Sequence, residues 1–187
     1  MRQNIILIGY MGSGKTTIGR KLASNLGFRF VDTDELVREH SGKTIPEIFQ
    51  EQGEEAFRDF ETDVLKSVIN SECQIISTGG GLVLREENRM LLKDSGFCVW
   101  LKANPDTIYE RICRNGNRPL LETENPRQTI YTMLQERTPK YLEAANMEIA
   151  TDHLGISDLA YGIAESAKVF FRKQALEACE VGPDGTC

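Results

Sequence analysis

Five short apolar runs, near residues 5–9, 28–32, 74–78, 97–102 and 147–150, alternate with longer stretches in which apolar residues recur at helical spacing. This alternation predicts βαβ units, because parallel strands need long crossovers and those crossovers cover both faces of the sheet. The fold class expected is therefore α/β, with ligands bound beyond the carboxyl ends of the strands. Helices are expected near 14–26, 34–40, 44–70, 85–94, 105–114, 126–144 and 156–173. Thr44 with Glu47 reads as a capping box, Asn125 followed by Pro126 as a helix start, and Gly53 as a break or bend in the third helix.

A length of 187 residues suits one core and not two independent globular domains. A single domain is expected over 1–176, with substrate-binding helices at about 33–62 and a lid at about 112–126, where NGNRPLLETEN reads as a loop. EACEVGPDGTC, from Glu177 to Cys187, lacks a periodic apolar face and is expected to be a mobile tail. The net charge of −6 argues against a general nucleic-acid coat protein, and the few scattered aromatic residues offer no stacking platform for single strands. The apolar run Ile5 to Ile8 stops at Gly9, too short for a signal peptide or a membrane span, so a cytoplasmic protein is expected. Its five cysteines are odd in number, widely spaced and without a Cys-x-x-Cys pair, which predicts reduced thiols. His40 and His153 lie far apart, without metal-ligand spacing.

The segment from Gly9 to Thr16, GYMGSGKT, fits GxxxxGK[ST], follows a strand and opens a helix. Glycines let successive N–H groups turn inward as an anion nest, and the helix N-terminus adds its positive end. Gly12, Ser13, Gly14, Lys15, Thr16 and Thr17 are thus candidate nucleotide-binding residues. Lys15 is placed to reach the β and γ phosphates, and the Thr16 hydroxyl to ligate Mg²⁺.

Asp32 and Asp34, in VDTD, close the second strand. If the extended conformation persists, their spacing of two puts both carboxylates on one side, facing the crevice. One suits Mg²⁺ and the other the proton of an attacking hydroxyl, although either could simply cap the next helix. Arg58 and Glu61 share a helix face, either as a carboxylate-binding arginine held by its neighbour or as an ordinary exposed ion pair. Gly79, Gly80 and Gly81 follow the third strand and allow a ligand to approach the backbone, or form only a tight turn. Arg111, Arg114, Arg118, Arg127, Arg137 and Lys140 concentrate positive charge around the lid candidate.

Taken together, GYMGSGKT, VDTD, FRDFE, ISTGGG, RPLL and ERTPKY, in this order from about Asn4 to Lys173, resemble the shikimate kinases. The resemblance implies a five-stranded parallel sheet of order 2-3-1-4-5 with a small lid. It implies shikimate contacts at Asp34, Arg58, Gly79 to Gly81 and Arg137, and ATP contacts at Gly12 to Thr16. Arg111 would lie beside the adenine, Arg118 would reach from the lid to the phosphates, and Mg²⁺ would sit at Thr16 with Asp32 near it. The catalytic residues implied are Lys15, Asp34 and Arg118. The second adenine contact, after the last strand, is not placed by sequence on His153 or Leu154.

The expected activity is ATP-dependent phosphorylation of the shikimate 3-hydroxyl by a monomeric enzyme. A gluconate or nucleoside monophosphate kinase is the nearest alternative. A GTPase-like switch would carry an Asn-Lys-x-Asp motif, which does not occur. A non-catalytic ATP-binding regulator would bind nucleotide without acceptor-dependent ADP release.

Overall fold

A computed structural model describes residues 3–114 and 124–180. Five strands, β1 (Ile5–Ile8), β2 (Arg29–Asp32), β3 (Gln74–Ser77), β4 (Phe97–Lys102) and β5 (Met147–Ala150), form one parallel sheet in the order β2-β3-β1-β4-β5. Among the described residues, seven helices cover it: α1 (Lys15–Leu26), α2 (Thr33–Ser41), α3 (Ile45–Val68), α4 (Glu86–Asp94), α5 (Pro105–Arg114), α6 (Pro126–Ala144) and α7 (Ile156–Glu180). The expected fold class and strand order are both observed.

The central strand β1 is buried throughout because its alternate side chains enter two cores. Ile5 and Leu7 meet Ile18 and Leu22 of α1 and Leu159 and Ile163 of α7. Ile6 and Ile8 meet Leu65 of α3, Leu92 of α4 and Tyr141 of α6 on the other face. Registers Ile5↔Ile75 and Ile5↔Phe97 align the strands so that their carboxyl ends open on one edge. The edge strands carry charge, Arg29 on β2 and Glu148 on β5, which discourages further strand addition.

Local signals explain the helix boundaries. Thr44 Oγ1 accepts from the Glu47 N–H and Glu47 returns a carboxylate to the Thr44 N–H, completing the expected box at the start of α3. Gly53 interrupts α3 at φ 84° and ψ 175°, so its two halves run as separate helices around a kink. The Asn125 side chain accepts from the Gln128 N–H and starts α6. One boundary differs from expectation: α7 continues to Glu180 and takes in the first four residues of the expected tail. Ala175 and Ala178 are strong helix formers, and Lys173 pairs with Glu177 one turn on, at 3.8 Å, which carries the helix past its apolar stripe.

The remaining expectations at the lid and tail, 115–123 with Arg118 and 181–187, lie outside the described residues. Cys73, Cys98 and Cys113 are free thiols, and His40 and His153 are exposed. No helix among the described residues is long and apolar enough to cross a membrane.

Candidate active site

The loop from Gly9 to Gly14 joins β1 to α1 at the carboxyl edge of the sheet. Gly12 and Gly14 sit at φ 76° and 97°, the left-handed backbone needed to bring loop N–H groups toward the α1 N-terminus. Lys15 is buried and folds back over this loop, donating to the carbonyls of Gly9 at 2.7 Å and Tyr10 at 3.0 Å. A cavity of about 530 Å³ opens beside it. Gly12, Ser13, Gly14, Lys15, Thr16 and Thr17 line it together with Asp32, Asp34 and Gly80.

Asp32 has two oxygens with two roles. Oδ1 accepts from the Asp34 N–H at 3.1 Å and caps α2, while Oδ2 accepts from the Thr16 hydroxyl at 3.0 Å. The extended conformation does not persist through Asp34, because Asp32 takes the capping role that the sequence left open and the helix starts at Thr33. Asp32 and Asp34 still reach the same cavity, since Asp34 lies in the first turn of α2. Thr16 and Asp32 form a pair of hard oxygen donors at the cradle. Among the described residues, no group of three or more His, Cys, Asp or Glu side chains is placed to hold a metal.

Each glycine after β3 is faced by a different part of the site. A Cβ on Gly79 would lie 2.5 Å from Glu61 Oε1 and 2.7 Å from Asp34 Oδ1. One on Gly80 would lie 3.2 Å from the Met11 backbone N, and one on Gly81 would lie 2.3 Å from Arg58 Nη1. A side chain at Gly79 would have to displace the Glu61 and Asp34 carboxylates, and one at Gly81 the Arg58 guanidinium. The Gly80 carbonyl accepts from Arg137 Nη1 at 3.2 Å and from the Tyr141 hydroxyl at 2.7 Å. Arg58 from α3 and Arg137 from α6 therefore meet the same turn.

The Arg58–Glu61 pair is not the exposed kind. Arg58 donates to Glu61 at 2.5 Å and to Glu54 at 2.8 Å, and Glu61 is only 1% exposed. Burial opposes the Arg58 charge, but Glu61 and Glu54 outweigh it and hold its pKa above the ordinary guanidinium value. Burial likewise pushes Glu61 up to about 7, although Arg58 pulls it down. Burial also raises Tyr141, so its hydroxyl stays a donor to Gly80 at neutral pH.

Arg111 reaches from α5 to donate to the Gly12 carbonyl at 3.1 Å, the Thr151 hydroxyl at 3.1 Å and the Thr151 carbonyl at 2.8 Å. It fastens the glycine loop to the end of β5 and lines the cavity with Arg114, Leu154 and Ile156.

The family model for shikimate kinase matches residues 11–168. This chain belongs to the shikimate kinase family. It is 44% identical to a shikimate kinase from Symbiobacterium thermophilum, over 87% of this chain and 94% of that one. A shikimate kinase from Thermodesulfovibrio yellowstonii is 45% identical, over 84% of this chain and 91% of the relative. Among solved structures, the shikimate kinase from Acinetobacter baumannii in complex with shikimate superposes with a TM-score of 0.85 and 40% identity, covering 90% of this chain and 94% of that one.

Within this shikimate kinase fold, the described candidates converge on two adjoining regions. Gly12 to Thr17, Asp32 and Arg111 surround the loop cavity, and Asp34, Arg58, Gly79 to Gly81 and Arg137 surround the glycine turn. Sequence reasoning missed Glu54, Thr33, Tyr141 and Thr151. Thr33 accepts from the Gly79 N–H at 3.0 Å and fixes the turn against α2. The only signal for Tyr141 was its place in ERTPKY, and Thr151 lies in a stretch without a motif. Leu154, not His153, lines the cavity after the last strand.

Proposed function

We propose that this kinase transfers the γ-phosphoryl group of ATP to the 3-hydroxyl of shikimate, giving shikimate 3-phosphate and ADP. The observation that carries this reading is the joint approach of Arg58 and Arg137 to the Gly79–Gly81 turn, with Asp34 between that turn and the phosphate cradle. Two guanidinium groups suit the acceptor's carboxylate, and a carboxylate suits its hydroxyls.

In this reading the N–H groups of Gly12 to Thr16 hold the ATP phosphates, and Lys15 swings from its loop carbonyls to the β and γ oxygens. Thr16 and Asp32 would hold Mg²⁺, their 3.0 Å contact fitting two hard donors on one small cation. Bound there, Mg²⁺ neutralises charge on the phosphate oxygens. Asp34 orients the attacking hydroxyl and accepts its proton. Arg58 and Arg137 hold the acceptor's carboxylate, and the Gly79–Gly81 backbone lies against its ring. Arg111 and Leu154 flank the adenine, and Arg118 completes the charge around the transferred group. The same reading puts the enzyme in the cytoplasm, where the exposed thiols of Cys73 and Cys113 stay reduced.

The test is ADP release from Mg²⁺-ATP, with shikimate, gluconate or a nucleoside monophosphate as acceptor. Strong stimulation by shikimate alone is expected. Stimulation by another acceptor, or none although ATP binds, overturns the substrate assignment.

A further inference from the structure

Arg58 and Arg137 face the same turn but are held in different ways. Arg58 donates to the carboxylates of Glu61 and Glu54. Half-buried Arg137 has no carboxylate within ion-pair distance among the described residues. Its Nη1 donates to the Gly80 carbonyl at 3.2 Å, and its Cζ stands over the Tyr10 ring, 5.3 Å from the centroid. A guanidinium within about 6 Å of an aromatic face is attracted by the ring's quadrupole, more strongly where water is excluded. A ring therefore orients a cation without cancelling its charge, whereas a carboxylate does both. Arg58 also has a ring beneath it, Phe57 at 5.2 Å, but two carboxylates already fix it.

Tyr10 is built as a fixed support. Only 1% exposed, it packs with Ile108 and Ile112 of α5 and Ile130 of α6, and its hydroxyl donates to Met133 Sδ at 3.2 Å. The two helices thus grip the ring together. Its main chain belongs to the phosphate loop, where the Tyr10 carbonyl accepts from Lys15 Nζ at 3.0 Å and from the Ser13 N–H at 3.2 Å. One residue therefore meets the lysine of the donor side through its carbonyl and the arginine of the acceptor side through its ring.

We propose that Tyr10 is a positioning residue whose ring presents the Arg137 guanidinium, with its charge intact, to the acceptor's carboxylate in register with the phosphate loop. This role rests on the reading that Arg137 holds that carboxylate. Because ring and loop carbonyl belong to one residue, the acceptor's anchor is indexed to the donor's cradle. Loss of the ring leaves Arg137 tethered at Gly80 with its plane unsupported, so a two-pronged fit to a carboxylate forms less often. Acceptor binding weakens, while the cradle, built from main chain and Lys15, is unaffected.

Steady-state kinetics of the full chain with Mg²⁺-ATP and shikimate test this. Tyr10→Phe keeps the face, loses only the Met133 bond, and should leave the KM for shikimate within about twofold. Tyr10→Leu should raise that KM about tenfold, with the KM for ATP within about twofold. Pentafluorophenylalanine at position 10 keeps the ring's shape but reverses its quadrupole, and should resemble leucine, which a space-filling role would not produce. Arg137→Ala should itself raise the KM for shikimate, and in that background the changes at Tyr10 should have no further effect. Thermal melts of each variant confirm that it is folded. The contact is also read without an acceptor: ring current moves the Arg137 Nε–H resonance upfield, and Tyr10→Leu should return it to the ordinary arginine position. A shikimate KM indifferent to fluorination, a parallel rise in the KM for ATP, an equal rise in the Arg137→Ala background, or an unshifted Nε–H overturns the role of Tyr10. A normal KM in Arg137→Ala with the ring-current shift intact overturns the assignment of Arg137 to the acceptor, and the role of Tyr10 falls with it.

Discussion

Glu61 Oε2 accepts a 2.5 Å hydrogen bond from Arg58 Nη1, while Oε1 of the same carboxylate is buried against Gly79 without a hydrogen-bond partner among the described residues. Two oxygens of one group thus experience opposite environments. One is matched by a cation and the other is stripped of water, and the second effect is the larger, because the net shift is upward to about 7.

That shift fixes a pH dependence. Between about pH 4.5 and about pH 7 the folded protein keeps a proton on Glu61 that the unfolded chain has released. Glu61 therefore contributes stability at acid pH, and the contribution is lost as pH rises through about 7. Glu61→Gln cannot titrate, so the stability of wild type minus that of the variant should fall by on the order of 1–3 kcal/mol from about pH 5 to about pH 8. Urea unfolding at several pH values reads this difference. A flat difference, or one that rises with pH, would return Glu61 to ordinary carboxylate behaviour.

Asp34→Asn keeps the shape of the first turn of α2 and removes the proton acceptor. Turnover should fall by roughly a hundredfold or more with ATP affinity little changed. Steady-state kinetics with nucleotide binding measured separately checks this, and near-normal turnover would exclude Asp34 from the role.

Gly81→Ala would place a methyl carbon 2.3 Å from Arg58 Nη1 and must displace the guanidinium. The KM for shikimate should rise about tenfold or more, with the KM for ATP nearly unchanged. Gly162→Ala makes a useful contrast, since nothing lies within 4 Å of the new carbon on α7 and stability should increase by about 0.5–1 kcal/mol. Chemical denaturation and kinetics on both variants separate the two effects.

Arg111→Ala releases three hydrogen bonds that tie the Gly12 and Thr151 segments together. We expect the KM for ATP to rise about tenfold while the KM for shikimate stays within a factor of about two, because the glycine turn is held independently by Thr33, Arg137 and Tyr141. Equal losses for both substrates would show that Arg111 supports the whole fold.

Much of this was legible in sequence because it is local. The apolar run of β1, the loop glycines, the Thr44–Glu47 box and the Asn125 cap each act within a few residues. What escaped was set by packing between distant elements. Whether Arg58 and Glu61 form a surface pair or a buried one depends on how α3 packs beside the turn after β3, and spacing alone is identical in the two cases. Thr151 and Leu154 sit after β5 in a stretch whose residues make sense only once α5 brings Arg111 across to them. The end of α7 escapes the sequence for a simpler reason: its last turns are sustained by alanines and a Lys173–Glu177 pair, which leave no periodic apolar pattern.

The turn from Gly79 to Gly81 separates the phosphate loop from the arginine side of the site by the thickness of one peptide chain. In the proposed reaction the acceptor therefore rests on main chain, not on a side chain that substitution could lengthen or shorten. Point changes elsewhere can retune which acceptor is held or how tightly ATP binds, yet the floor beneath the acceptor stays constant. Altering that floor would take a change in the turn itself.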